Sequence, residues 1–248
     1  MIAGAEAGRI RKALDSVSGW AGEVVAVINE EVADGTDRIA AEGGARAFRE
    51  PWKGHIAQKN SAAEKAAQPW ILGLDADEVV SPELAAEIRQ IFAAPEKLAS
   101  FAAFSFPRCT CYCGRWIRHG DWYPDRKIRL WRRGQGCWGG IDPHDAVIVN
   151  GRTGRLKGEL LHYSMENLEH HVRKTMAYSE IFRQHHPDRS VGVVELWFRP
   201  WWRFVRGYFL RLGFLDGWQG YAVARLASQE VFLRYAKIRE ARTPQPEK

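Results

Sequence analysis

Trp70-Ile71-Leu72-Gly73-Leu74-Asp75-Ala76-Asp77-Glu78 is the stretch on which the reading of this chain turns. The run up to Leu74 has the length and texture of a buried strand, and it ends directly in three carboxylates. Ser81-Pro82-Glu83 follows, a cap residue, a first-turn proline and an early acid that together open a helix. In an open α/β sheet, ligands gather beyond the carboxyl ends of the strands. Acids crowded at such an end repel one another unless a cation or solvent screens them. Two carboxylates one residue apart can hold a hard divalent ion and leave room on it for phosphate oxygens. An acidic loop that merely favours the helix start is the plainer alternative, but the position directly after an apolar strand favours ligation.

Toward the N-terminus the pattern alternates. Ile10, Leu14 and Val17 share one helical face over residues 8–17. Residues 23–28 read as a buried strand running into Asn29-Glu30-Glu31, and Asp34-Gly35-Thr36 reads as a turn. A helix over 37–42 ends at Gly43-Gly44, a strand follows over 45–48, and a helix covers 57–67. Strands and helices in this rhythm predict a mostly parallel sheet flanked by helices. After residue 100 the texture turns to strands and loops rich in Trp, Arg and Gly, and from Met165 it is helical. The expected division is a catalytic domain over 1–164, a helical region over 165–242 and a disordered polar tail over 243–248.

Composition adds a constraint. With 248 residues, 11 Trp and a formal charge of +6, the chain is a folded protein with an anionic partner in view: phosphate, acidic lipid or nucleic acid. No nucleic-acid motif accompanies the charge. Cys109, Cys111 and Cys113 alternate, which on a strand places them on one face, and reduced thiols fit better than a zinc cluster with Cys137. The first six residues lack a signal-peptide pattern, and no run reaches the ~18 apolar residues of a membrane span, so a cytoplasmic location is expected. Residues 196–217 interleave Trp201, Trp202, Phe209 and Leu212 with Arg199, Arg203 and Arg206. An aromatic face beside a basic face suits a helix lying on an anionic membrane surface, with Pro200 in its first turn. A helix packed on the core with its arginines in water is the competing reading.

Beyond these local readings, the chain resembles the family 2 glycosyltransferases, and within them the lipopolysaccharide-core glucosyltransferase-like proteins. The matching stretches are Ala57-Gln58-Lys59-Asn60, Trp70 through Glu78, Gly114 through Asp125, Arg129-Leu130-Trp131-Arg132-Arg133, and the His144 and His162-Tyr163 positions. The resemblance implies a GT-A fold and transfer of a hexose, with inversion, from a nucleotide (UDP) sugar to a lipopolysaccharide-core or other lipid-linked acceptor. It implies Mg²⁺ or Mn²⁺ on Asp77 and His144, with Asp75, Lys59, Asn60 and Asn29 around the nucleotide. A carboxylate base is needed for the acceptor hydroxyl, and Asp125 is favoured over Asp121 for it. Relatives begin with an apolar first strand, which here is expected to be missing, and Asn29 stands where a carboxylate is usual. A truncated, non-catalytic membrane scaffold of the same fold is the alternative function.

Overall fold

The computed structural model describes residues 1–141, 144–165 and 167–243, apart from the side chains of Ile141 and His144. The proposed tail beyond Thr243 lies outside the described residues. The first half of the chain forms β1 (Ile2–Ala3), α1 (Ile10–Asp15), β2 (Val25–Asn29), α2 (Thr36–Glu42), β3 (Arg46–Glu50), α3 (His55–Glu64), β4 (Trp70–Leu72), β5 (Glu78–Val80), α4 (Pro82–Phe92), α5 (Pro95–Ala99) and β6 (Ala103–Tyr112). The second half forms β7 (Arg115–Ile117), β8 (Asp125–Arg132), β9 (Gly136–Ile141), β10 (His144–Val149), β11 (Thr153–Arg155), β12 (Leu160–Met165), α6 (Leu168–Gln184), α7 (Val193–Val205) and α8 (Gly217–Glu240). Two compact units result: Met1–Arg108 with Asp125–His162, and Cys109–Pro124 with Tyr163–Lys248.

In the first unit, β1, β2 and β3 form a parallel sheet, with Ile2 opposite Val27 and Val27 opposite Phe48. The first strand is therefore present, as two residues, where none was expected. The larger sheet runs β4-β8-β6-β12-β5, with β7 and β11 also paired to β6. Parallel pairing is less general than the sequence suggested. Strand β8 lies antiparallel to both β4 and β6, and β12 antiparallel to β5, while β11 is parallel to β6. Helical crossovers join only the early strands, and the later ones follow each other through short turns that favour antiparallel pairs.

Trp70, Ile71 and Leu72 are only half-buried, although an all-apolar run predicts full burial. The reason is position: β4 is the edge of its sheet. Ser81 caps α4 as anticipated, its hydroxyl accepting from the Leu84 amide at 3.1 Å. Leu84 and Ile88 on that helix pack with Leu74, Phe104, Phe106, Leu130 and Leu160 in the main core, each such burial contributing about 1.5–3 kcal/mol.

The second unit is helical, with α6 and α7 packed along α8. Tyr112, Ile117 and Val223 form its buried apolar centre. Gly220 is required where it stands, since a Cβ there would fall 1.9 Å from the Gly213 carbonyl oxygen. Pro200 lies inside α7 and is buried, contrary to the expected first-turn position. The helix starts earlier, at Val193, where the Glu195 carboxylate accepts from the Gly192 amide. The Pro200 carbonyl accepts from the Ser228 hydroxyl of α8 at 2.8 Å. Of the alternating cysteines, Cys109 and Cys111 lie on β6 and Cys113 falls past its end in a left-handed turn. None of the four cysteines is in a disulfide, and the Cys109 thiol donates to the Ile117 carbonyl at 3.5 Å.

Candidate active site

The turn after β4 closes on itself: the Glu78 amide donates to the Asp75 carbonyl, and the Asp75 amide donates to the Glu78 carboxylate, both at 3.0 Å. That reciprocal pair turns the acids toward different partners. Gly73, just upstream, has to be glycine, because a Cβ would meet the Trp138 ring at 2.7 Å. The Trp138 backbone is in turn held by Asn60, whose side-chain amide exchanges two 2.9 Å hydrogen bonds with it.

Charges alternate through the interior from this point. Lys59 Nζ lies 2.9 Å from Asp75 and 2.7 Å from Asp145. Arg129 reaches both Asp75 and Glu78 at 3.0 Å. Both cations also lie against the Trp138 ring, Lys59 Nζ 4.4 Å and the Arg129 guanidinium carbon 4.8 Å from its centroid, each a cation–π contact. Arg108 continues the series, 3.6 Å from the fully buried Glu78 and 2.7 Å from Asp125, and Lys127 also meets Asp125 at 3.0 Å. Buried charges at this density are tolerated only because each meets an opposite charge.

The two acids of the Asp-x-Asp pair differ in kind. Burial pushes the Asp75 carboxyl up, but Arg129 and Lys59 outweigh it and hold the group well below the usual carboxylate range. Asp75 is thus saturated by permanent cations. Asp77 is paired instead with His162, whose Nε2 lies 3.4 Å from its carboxylate. Burial opposes ionisation of Asp77 too, and the hydrogen bond and charge of His162 more than compensate, leaving its pKa lowered. A carboxylate oxygen and an imidazole nitrogen side by side are a donor set that Mn²⁺ accepts readily, and Mg²⁺ with more water. Among the described residues no group of three or more acidic, histidine or cysteine side chains is close enough to hold an ion. The remaining ligands would come from phosphate and water, as is usual for Mg²⁺.

The other expected site residues fall as follows. Asn29 ends β2 opposite Glu50, and its side-chain oxygen accepts from the Glu31 amide at 3.3 Å. Asp34 binds the Thr36 hydroxyl at 2.6 Å and the Ala7 amide at 3.1 Å, which ties the loop after β1 to the loop after β2. His144 opens β10 opposite Ile141, and its side chain lies outside the described residues. Asp125 begins β8 opposite Arg108 in the first unit. Burial raises its carboxyl and the Arg108 and Lys127 charges overcome that, so its pKa is lowered. Asp121 belongs to the second unit, 5% exposed, with Arg203, Arg206 and Arg211 at 2.8, 3.1 and 3.2 Å. Three guanidinium groups occupy a carboxylate that the sequence offered as an alternative base.

Arg108, Trp138 and Asp145 carry no local signal in the sequence, and Arg129 and His162 enter it only as positions of the resemblance. Lys59 and Asp145 are 86 residues apart, and no local pattern announces such a pair. The one available signal was Gly73, a glycine inside an apolar strand, which marks a close approach by another group.

A sheet whose strand ends carry an acid pair beside a histidine, within a nucleotide-sugar-transferase α/β fold, defines the molecule as a glycosyltransferase of GT-A type. The chain belongs to glycosyl transferase family 2, whose profile matches residues 1–148. It is 30% identical to an uncharacterized glycosyltransferase of Rickettsia typhi, over 95% of this chain and 84% of that protein. Against the lipopolysaccharide core biosynthesis glycosyltransferase LpsC of Rhizobium meliloti it is 27% identical, over 78% and 72% of the two chains. Among solved structures, the mannosyltransferase PcManGT from Pyrobaculum calidifontis, in complex with GDP-Man and Mn²⁺, superposes with a TM-score of 0.56 at 14% identity, over 98% and 86% of the chains. TarS 1–349 of S. aureus, in complex with UDP-GlcNAc, gives 0.51 at 12% identity, over 96% and 90%.

Proposed function

We propose that this glycosyltransferase moves a hexose, with inversion, from a UDP-sugar to a lipopolysaccharide-core or other lipid-linked glycan acceptor. The observation that carries the reading is the contrast within the acid pair: Asp75 is consumed by Lys59 and Arg129, while Asp77 faces His162. Asp77 and His162 would hold Mn²⁺ or Mg²⁺, which when bound neutralises the departing diphosphate. The GDP-Man and Mn²⁺ in the complex of a fold neighbour, and the role in lipopolysaccharide core biosynthesis given to LpsC, support the donor and acceptor classes.

The chain's own residues supply the rest. Asp125 takes the proton of the acceptor hydroxyl as that oxygen attacks the anomeric carbon and the bond to the diphosphate breaks. Arg108 and Lys127 keep Asp125 ionised before the acceptor arrives. The buried series from Arg108 through Glu78, Arg129 and Asp75 to Lys59 fixes the turn that presents Asp77. A site held this rigidly does not reorganise as charge develops on the leaving group.

The enzyme would act as a peripheral protein on the inner face of the cell membrane, where lipid-linked acceptors are found. No described helix is long and apolar enough to cross a bilayer. The second unit instead exposes Val194, Trp197, Phe198 and Trp201 on α7, with Trp197 75% exposed. Trp-rich faces with arginine nearby suit an anionic lipid interface.

Titration with UDP and Mn²⁺, alongside Asp77→Ala, tests the donor site. Saturable, metal-dependent UDP binding that the substitution removes is expected. Equal binding by both proteins would refute the assignment of Asp77.

A further inference from the structure

Within the second unit, the Asp121 carboxylate is surrounded by more positive charge than it can neutralise. It is almost buried, and Arg203, Arg206 and Arg211 of the same unit converge on it at 2.8, 3.1 and 3.2 Å. Its Oδ1 oxygen nevertheless takes no hydrogen bond, and the buried Nε of Arg206 makes none either. Glu230, the other acid that acts on Arg203, is already paired with Arg234. Four guanidiniums therefore share two carboxylates. Burial holds the Arg203 guanidinium below its ordinary range, and Asp121 and Glu230 do not offset that together with the repulsion of Arg206 and Arg234. Stability alone gives no reason to bring like charges this close.

The backbone is shaped to gather them. Helix α7 runs into a single π turn, Arg206–Leu210, closed by the Arg211 amide donating to the Arg206 carbonyl at 2.9 Å. On a regular helix, residues five apart point about 140° away from each other. The wider i→i+5 turn brings Arg206 and Arg211 round to one carboxylate, and such turns recur at functional sites. Gly207 lets Asp121 approach, since a Cβ there would lie 3.2 Å from its Oδ2, and a Cβ at Gly213 would fall 2.6 Å from the Gly207 carbonyl oxygen. The exposed Val194, Trp197, Phe198 and Trp201 share the opposite face of α7, about 170° from Arg203. Headgroups beneath that apolar face are not what the arginines meet.

We propose that Arg203, Arg206 and Arg211 form a seat for a phosphate monoester carried on the acceptor glycan, with Asp121 holding the three guanidiniums in register. The charges match: a phosphate monoester carries about −1.5 to −2 near neutral pH, and the cluster has two cations more than it has acids. A phosphate also brings three acceptor oxygens, which planar guanidinium forks bind in pairs. The arginine side chains stay a third to a half exposed, so N–H groups turned away from Asp121 are open to a ligand. A lone carboxylate would satisfy only one of the two surplus charges. The inference rests on the acceptor class proposed above and adds the group by which the second unit recognises it.

The test titrates the full chain with glucose 6-phosphate and with glucose, followed by ligand relaxation in NMR. Saturable binding of the sugar phosphate and none of glucose is expected. Arg206→Gln and Arg211→Gln should each weaken it about tenfold or more, whereas Arg199→Gln, on the same helix but paired with Glu195, should not. Arg211 is half exposed, and its loss leaves Asp121 two cations, so that variant decides the matter if Arg206→Gln fails to fold. Metal-dependent UDP binding, read on the same samples, should be unchanged. Its absence from every protein would undo the donor reading and leave the seat standing. No saturable binding by the unaltered chain, or binding that survives both substitutions, overturns the proposal. Co-sedimentation with phosphatidylglycerol vesicles should not respond to Arg211→Gln. A loss there as large as for the sugar phosphate would make this a headgroup site and overturn the acceptor assignment.

Discussion

The two units depart from ordinary partition of residues in opposite directions. The first buries charge: Lys59, Glu78 and Arg129 are all under a tenth exposed. The second exposes hydrocarbon: Val194 is 76% and Trp197 75% accessible, with Phe209, Leu210 and Trp218 also exposed. Either departure costs stability if nothing compensates it. In the first unit compensation is internal, through ion pairs that cross 16 to 86 positions of chain. In the second no described residue covers these side chains. A rigid interior suits chemistry and a sticky exterior suits docking.

The sharpest way to break this comparison is at the acid pair. Asp77→Ala should reduce transfer by ~10³-fold and abolish metal-dependent UDP binding, measured by sugar transfer and by calorimetry. A variant that keeps its activity would mean the site lies elsewhere. Next, Asp125→Asn should lower kcat by about 10²–10⁴-fold with UDP binding intact. Asp121→Asn should chiefly lower the melting temperature, because it uncovers three arginines. The opposite pattern would exchange the roles of the two acids.

Breaking the buried series at its centre probes stability. Arg129→Met leaves Asp75 and Glu78 without their shared cation, and a loss of about 3–5 kcal/mol is expected in urea unfolding. A near-neutral result would show that the series is not what holds the turn. On the other unit, replacing Trp197 and Trp201 together with serine should weaken binding to anionic vesicles about tenfold and leave the melting temperature unchanged. Unaltered co-sedimentation would remove the membrane role of this face.

The smallest effect is one of pH. His171 hydrogen-bonds the Tyr112 hydroxyl at 3.1 Å in the interior of the second unit. Burial, then the charges of Lys174 and His170, lower its pKa to about 4 from 6.5. The unfolded chain therefore binds a proton that the folded chain refuses across that interval. Its contribution to stability is complete above about pH 6.5 and is lost as pH falls toward about 4. Melting curves over that range should show the decline, and His171→Phe should flatten it.

Much of this was legible in the sequence. The strand running into Asp75-Ala76-Asp77-Glu78, the capped helix after it, the early βα alternation and the helical C-terminal part all declare themselves through local period and turn chemistry. Those signals act between neighbours, so a single chain suffices to show them. Asp77 and Asp125 could be nominated on the same basis, as acids at strand ends. What tertiary structure decided is which partner each acid meets. Asp75 and Asp77 look alike in sequence, yet one faces Arg129 and Lys59 and the other His162. Asp121 and Asp125 stand four residues apart and fall into different units. The half-burial of β4 and the placing of Pro200 inside α7 were hidden for the same reason. Residue type and spacing fix which faces are apolar and where turns form, whereas pairing across tens of residues depends on how those faces pack, which no local pattern encodes.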